Sequence, residues 1–131
     1  MINASSLRLE GLDILVVEDD PTSLMFMSSL LAKHGCTVTT ASNGHEAFEK
    51  FKLHRYPVVV TDINMPVMNG IELVRNIRQR DAYTQIIATS LNCETECLIS
   101  AIQLGFNDYI LKPVKTEKLL WSVRRCVDTI A

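Results

Sequence analysis

The chain has 131 residues, 47% of them hydrophobic, which suits one globular domain and is too short for two ordinary ones. Its 13 Lys and Arg against 15 Asp and Glu leave a net charge of −2, so no direct nucleic-acid contact is expected, and no basic stripe follows any predicted helix. No apolar run approaches the roughly 20 residues that cross a bilayer, and the first eleven residues lack the apolar centre of a secretory signal; no membrane contact is expected, and the cytoplasm is the expected compartment.

Residues 1–11 are mixed and polar and read as a flexible lead-in, with the domain occupying 12–131. Leu12 to Val17 reads as a first strand. Pro21 sits where a first-turn proline is tolerated, and Leu24, Met27, Leu30 and Leu31 recur at helical spacing up to the stop at Gly35. Cys36 to Thr40 is a second strand. Asn43 caps a second helix with Ala47, Phe48 and Phe51 turned inward. Pro57 to Thr61, rich in β-branched residues, reads as a third strand buried on both faces. Asn69-Gly70 opens a third helix carrying Ile71, Leu73, Val74 and Ile77. Gln85 to Thr89 is a fourth strand. Cys93 to Leu104 is a fourth helix, with Leu98, Ala101 and Ile102 inward and Gly105 as its stop. Asp108 to Leu111 is a fifth strand, and Lys115 to about Thr129 is a fifth helix built on Leu119, Val123, Val127 and Ile130. Five strand-helix units in succession imply parallel pairing through right-handed crossovers. In such a sheet the ligand site lies at the carboxyl ends of the strands.

Those ends carry Glu18, Asp19, Asp62, Ser90 and Lys112. Clustered carboxylates repel one another, and a hard divalent cation such as Mg²⁺ is their natural occupant. Asp19 and Asp62 are the expected carboxylate ligands, Glu18 acts through a water, and the backbone carbonyl of Asn64 closes the shell. Lys112 precedes Pro113 and is expected to be extended, with an ammonium able to pair with Asp62 or with a phosphoryl oxygen. Whether the Lys112-Pro113 bond is cis is open at this level. The Ser90 hydroxyl can donate to a phosphoryl oxygen, and Thr89 beside it is expected on the opposite face. Asp62 reads as a nucleophile that accepts a phosphoryl group. Cys36, Cys93, Cys97 and Cys126 form no C-x-x-C pair and read as reduced structural thiols. His34, His45 and His54 lack zinc-type spacing and read as solvated imidazoles.

With these residues in place, the chain resembles the receiver domain of bacterial two-component response regulators. The resemblance rests on Ile14 to Asp20, on Asp62-Ile63-Asn64-Met65-Pro66-Val67-Met68-Asn69-Gly70, on Ile86 to Ser90, and on Tyr109-Ile110-Leu111-Lys112-Pro113. It implies a flavodoxin-like (βα)5 three-layer sandwich with a parallel sheet in the order 2-1-3-4-5. It implies that Asp62 is the phosphoacceptor of a phosphorelay, loaded by a sensor histidine kinase or phosphotransfer protein. Mg²⁺ (or Mn²⁺) would be held by Asp19, Asp62 and the Asn64 carbonyl with Glu18 in support. Ser90 would be the switch hydroxyl, Tyr109 the switch aromatic and Lys112 the phosphate-binding lysine. The surface of the fourth helix, fifth strand and fifth helix would meet an output domain, a target protein or a second copy in a homodimer, and Trp121 is placed either on it or partly buried.

Leu91 departs from the pattern, which usually has a small residue after the switch hydroxyl; the leucine is expected to narrow the approach to the phosphoryl group. Two rivals are set against this reading. A degenerate receiver would act as a docking module without phosphorylation, but every acidic, hydroxyl and lysine position is filled. A phosphohydrolase using an aspartyl-phosphate needs a second aspartate where Asn64 stands. Beyond the chain's own phosphorylation and dephosphorylation, no enzyme activity is expected.

Overall fold

The structure is a computed structural model, and it describes residues 9–65, 67–91 and 95–130, with the side chains of 95–98 outside that description. Its elements are β1 (Asp13–Val17), α1 (Pro21–Lys33), β2 (Thr37–Ala41), α2 (Gly44–Leu53), β3 (Val58–Asp62), α3 (Gly70–Arg80), β4 (Gln85–Ser90), α4 (Thr95–Leu104), β5 (Asp108–Leu111) and α5 (Thr116–Ile130). The five strands form one parallel sheet, as the alternation of strands and helices predicts, in the order β2-β1-β3-β4-β5 that the family resemblance implies.

Side-chain alternation divides the core in two. Ile14, Val16, Val58, Val60, Ile87 and Ile110 project to one face, under Met27 and Leu31 of α1 and Leu119, Leu120 and Val123 of α5. Leu15, Val17, Val59, Ile86 and Ala88 project to the other, under Ala47 and Phe51 of α2, Leu73, Val74 and Ile77 of α3, and Ala101 of α4. Strands covered on both faces read as unbroken apolar runs for this reason. α1 and α2 start on capped ends: Asp20 accepts from Ser23 N at 2.9 Å, and Asn43 accepts from Glu46 N at 2.8 Å. Asn69 and Glu72 form a reciprocal capping box at α3.

Several expectations from the sequence shift. β3 and β4 each run one residue further than expected and take in Asp62 and Ser90, because the pairing continues: Ile63 N donates to Thr89 O at 3.1 Å and Lys112 N to Ser90 O at 2.7 Å. Ile102, expected inward, is 62% exposed; Ala101 takes the inward position and sets the phase of α4. Ile130, at the end of α5, is also exposed. His34 is buried, not solvated. It caps the end of α1, its Nδ1 lies 3.0 Å from Leu30 O, and its carbonyl accepts from Leu9 N at 2.7 Å. Leu9 is itself buried in the α1/α5 core, inside the stretch read as a lead-in, and Gly11 N donates to Gly35 O. Set between Arg8 and Glu10, this leucine belongs to no periodic run that would announce its burial. Cys36 and Cys126 are free and buried, and burial pushes both thiols up to about 11, so they stay protonated. Cys93, the expected start of α4, and residues 1–8 lie outside the described residues. No helix among those described is long and apolar enough to cross a membrane.

Candidate functional site

β1 and β3 are neighbours with Val17 opposite Thr61, so the next residues, Glu18 and Asp62, stand side by side at the carboxyl edge. Neither carboxylate is solvated: Glu18 is 1% exposed and Asp62 4%. Lys112, arriving from the end of β5, compensates both. Its ammonium donates to Glu18 Oε1 and to Asp62 Oδ2, each at 2.8 Å. The remaining carboxylate oxygens are held by backbone. Glu18 Oε2 accepts from Asp20 N at 3.0 Å, and Asp62 Oδ1 accepts from Asn64 N at 3.1 Å. Each of these four oxygens thus has a donor, as buried charge demands.

Asp19 completes the cluster from an exposed position; one oxygen from each of Glu18, Asp19 and Asp62 lies within 4.8 Å of the others. Three carboxylates against one ammonium leave a formal excess of two negative charges, which fits a divalent cation taking oxygen ligands. Burial pushes the Glu18 carboxyl above its ordinary value; the bond from Lys112 pulls it back, and the Asp62 charge adds to the rise. Burial works in the opposite direction on Lys112, but its bonds to Asp62 and Glu18 outweigh it and hold the ammonium above the usual lysine value. The ammonium is therefore fixed as a cation. Asp20, next in sequence, is committed to capping α1: its bonds from the Ser23 hydroxyl and amide hold its carboxyl below the ordinary value.

The loop from β3 to α3 is shaped by two glycines. A Cβ at Gly70 would overlap the Asp62 carbonyl oxygen and stand 2.8 Å from Ile63 Cα; a Cβ at Gly44 would overlap the Met68 carbonyl, which accepts from Gly44 N at 3.0 Å. The chain thus closes onto Asp62 only because these positions have no side chain. Between them Val67 adopts φ +65°, a left-handed conformation that costs a β-branched residue about 1–2 kcal/mol. Strain of this kind in the loop that follows Asp62 belongs with a path that is imposed.

Of the residues singled out in the sequence, Glu18, Asp19, Asp62 and Lys112 meet directly. Asn64 adjoins them through its amide, and the Lys112-Pro113 bond is cis. Ser90 is buried at the end of β4, on the face it shares with Ala88 and Tyr109, and Thr89 takes the opposite face as expected. Tyr109 is half-buried against the α2/α3/α4 core. Leu91 stands in solvent, 76% exposed, past the end of β4. A hollow of about 350 Å³ opens beside Glu18 and Lys112, walled by Thr22, Ser23, Phe26 and Met27 of α1 and by Pro113 and Val114. The parts that sequence reasoning missed are the two glycines and the register neighbour of Asp62, which is Thr89. The G-I-E-L pattern after Asn69 signals a helix start, but only pairing in space shows what the glycine touches.

The family model for the response regulator receiver domain matches residues 14–124. The chemotaxis protein CheY of Bacillus subtilis is 36% identical over 116 residues, a match that covers 88% of this chain and 97% of CheY. The transcription factor SKN7 of Saccharomyces cerevisiae is 38% identical over 117 residues, covering 89% of this chain and 19% of that much longer protein. Among solved structures, the receiver domain of a Francisella response regulator superposes with a TM-score of 0.88 at 28% identity, covering 92% of this chain and all of that one. The receiver domain of a Pseudomonas aeruginosa sensor histidine kinase, which holds a magnesium ion in its active site cleft, gives 0.83 at 30% identity over 90% of this chain and 98% of the other.

Proposed function

This chain belongs to the response regulator receiver domain family of two-component systems, and we propose that it takes a phosphoryl group onto the Asp62 carboxylate from a sensor histidine kinase or phosphotransfer protein. The observation that carries the reading is the Lys112 ammonium shared between buried Glu18 and Asp62 beside the exposed Asp19. An Asp62 oxygen attacks phosphorus in line. The new O–P bond forms as the bond from phosphorus to the donor nitrogen breaks, and that nitrogen keeps the electron pair. Asp19, Asp62 and the Asn64 carbonyl would hold Mg²⁺ (or Mn²⁺), with Glu18 reaching it through a water. When bound, the ion neutralises charge spreading over the phosphoryl oxygens. Lys112 stabilises the same charge from the other side, already cationic.

Downstream, the acylphosphate carries close to two negative charges where the Asp62 carboxylate carried one, by analogy with other phosphorylated side chains. The Ser90 hydroxyl moves to donate to a phosphoryl oxygen, and Tyr109 turns inward behind it. The surface of α4, β5 and α5 responds, where Ile99, Ile102, Leu111 and Trp121 are exposed apolar side chains. An output domain, a target protein or a second copy of the chain meets that surface. The Leu91 side chain, beside Ser90, slows attack by water and by small phosphodonors.

The test is incubation with acetyl phosphate, with and without Mg²⁺, followed by intact-protein mass measurement. One phosphoryl group per chain, dependent on Mg²⁺ and absent from Asp62→Asn, is expected. Full labelling of the Asp62→Asn variant would overturn the assignment.

A further inference from the structure

Thr89 lies opposite Asp62 in the pairing of β4 with β3. Paired residues project to the same face, about 4.8 Å apart between strands, and Ile87 and Ile110 identify that face as the one under α1 and α5. Thr89 is fully buried, and its Oγ1 has no hydrogen-bond partner. Among the described residues only Thr84 shares this condition, and it precedes the other end of β4, where its amide donates to Asp81. A buried hydroxyl without a partner is unfavourable, and one on the acceptor carboxylate's own face calls for an explanation.

The path of Lys112 supplies one. Its backbone sits beside β4, donating to Ser90 O, while its ammonium ends between Asp62 on β3 and Glu18 on β1. The order β1-β3-β4-β5 carries the intervening stem across β4. Ile110, two residues before Lys112, is the other register partner of Thr89, so Lys112 leaves its strand in the same phase. Thr89 therefore shares a face with Asp62 and with the stem of Lys112, on the side toward which the ammonium would draw back. Both present acceptors of that ammonium belong to the acidic cluster. A divalent cation held by Asp19 and Asp62 would compete for the carboxylate oxygens that now accept from Lys112 and would repel its ammonium.

We propose that Thr89 is a positioning residue for Lys112: its Oγ1 accepts from the ammonium in place of Glu18 once the cluster is loaded, and holds it at the phosphoryl side of Asp62. This rests on the reading of Asp62 as phosphoacceptor. No proton is transferred; one hydrogen bond is exchanged for another, and Thr89 itself touches no phosphoryl oxygen.

The test compares Thr89→Val and Thr89→Ser with the parent chain. Melting is followed without metal, and beryllofluoride, a phosphoryl mimic, is titrated by calorimetry at saturating Mg²⁺. Thr89→Val is expected to melt a few degrees higher, because the unpartnered hydroxyl is gone, yet to bind beryllofluoride about tenfold more weakly, the loss of one hydrogen bond to a charged donor. Thr89→Ser is expected to restore binding. A buried residue with only a packing role would not give a more stable but weaker-binding protein. Unchanged or tighter binding by Thr89→Val, a lower melting temperature for it, or no rescue by serine would overturn the proposal. A parent chain that binds no beryllofluoride would instead overturn the reading of Asp62.

Discussion

Alanine at Gly70 is expected to displace Asp62, the proposed phosphoacceptor. The added methyl would overlap the Asp62 carbonyl oxygen and lie 2.8 Å from Ile63 Cα, where ordinary contact begins near 3.4 Å. The backbone must give by more than half an ångström, and the atoms in the way are main chain at the end of a fully buried strand, not the tip of a flexible side chain. Overpacking of this kind costs about 1–3 kcal/mol of stability. The chemical consequence is larger, since displacement of a reacting group by about 1 Å can lower a rate by about 10²-fold. Urea unfolding would measure the first effect, and the initial rate of labelling by acetyl phosphate at saturating Mg²⁺ the second. Gly11→Ala is the control: a Cβ there meets nothing within 4 Å, but φ is +75°, so it is expected to cost about 1 kcal/mol through backbone strain and to leave the labelling rate alone. If Gly70→Ala labels at the parent rate, or if Gly11→Ala slows labelling equally, the loop does not fix Asp62 in the way described.

On the proposal that Leu91 slows attack by water, Leu91→Ala should shorten the lifetime of the phosphorylated protein; loss of label after donor removal reads this out, and an unchanged or slower decay would count against it. Asp81 offers a pH prediction away from the site. Burial raises its carboxyl, but amide bonds from Tyr83 and Thr84 and the Arg55 guanidinium outweigh burial and hold it below 3.8. Its stabilisation is therefore complete above pH 3.8 and is lost as pH falls through the lowered value in the folded state. Asp81→Asn should cost about 0.5–1 kcal/mol at pH 7, given the exposure of Arg55. In urea titrations that gap should close below pH 3.8, and a gap that widens on acidification would show the sign to be wrong.

The sheet was legible because its strands are buried on both faces, and such burial leaves unbroken runs like Val58-Val59-Val60 between glycine and proline breaks. The site was legible for a related reason: parallel strands put their ends at one edge, so Glu18, Asp62 and Lys112 could be grouped without knowing any distance. Phase within α4 was not legible, since Ala101 and Ile102 are both apolar and the smaller residue took the inward place. Nor was the burial of His34 and Leu9, which depends on one amide meeting one carbonyl across the end of α1. Pairing register was the most consequential omission. It sets Thr89, not Ser90, opposite Asp62, and nothing in either strand alone fixes that choice.

The most direct test of the central claim is borohydride reduction of the acetyl phosphate-treated protein, followed by peptide mass spectrometry to locate the reduced acylphosphate. Reduction is expected at Asp62 and at neither Asp19 nor Asp20. Reduction at one of those two, or a labelled protein with Asp62 intact, would contradict the assignment of Asp62 as the phosphoacceptor.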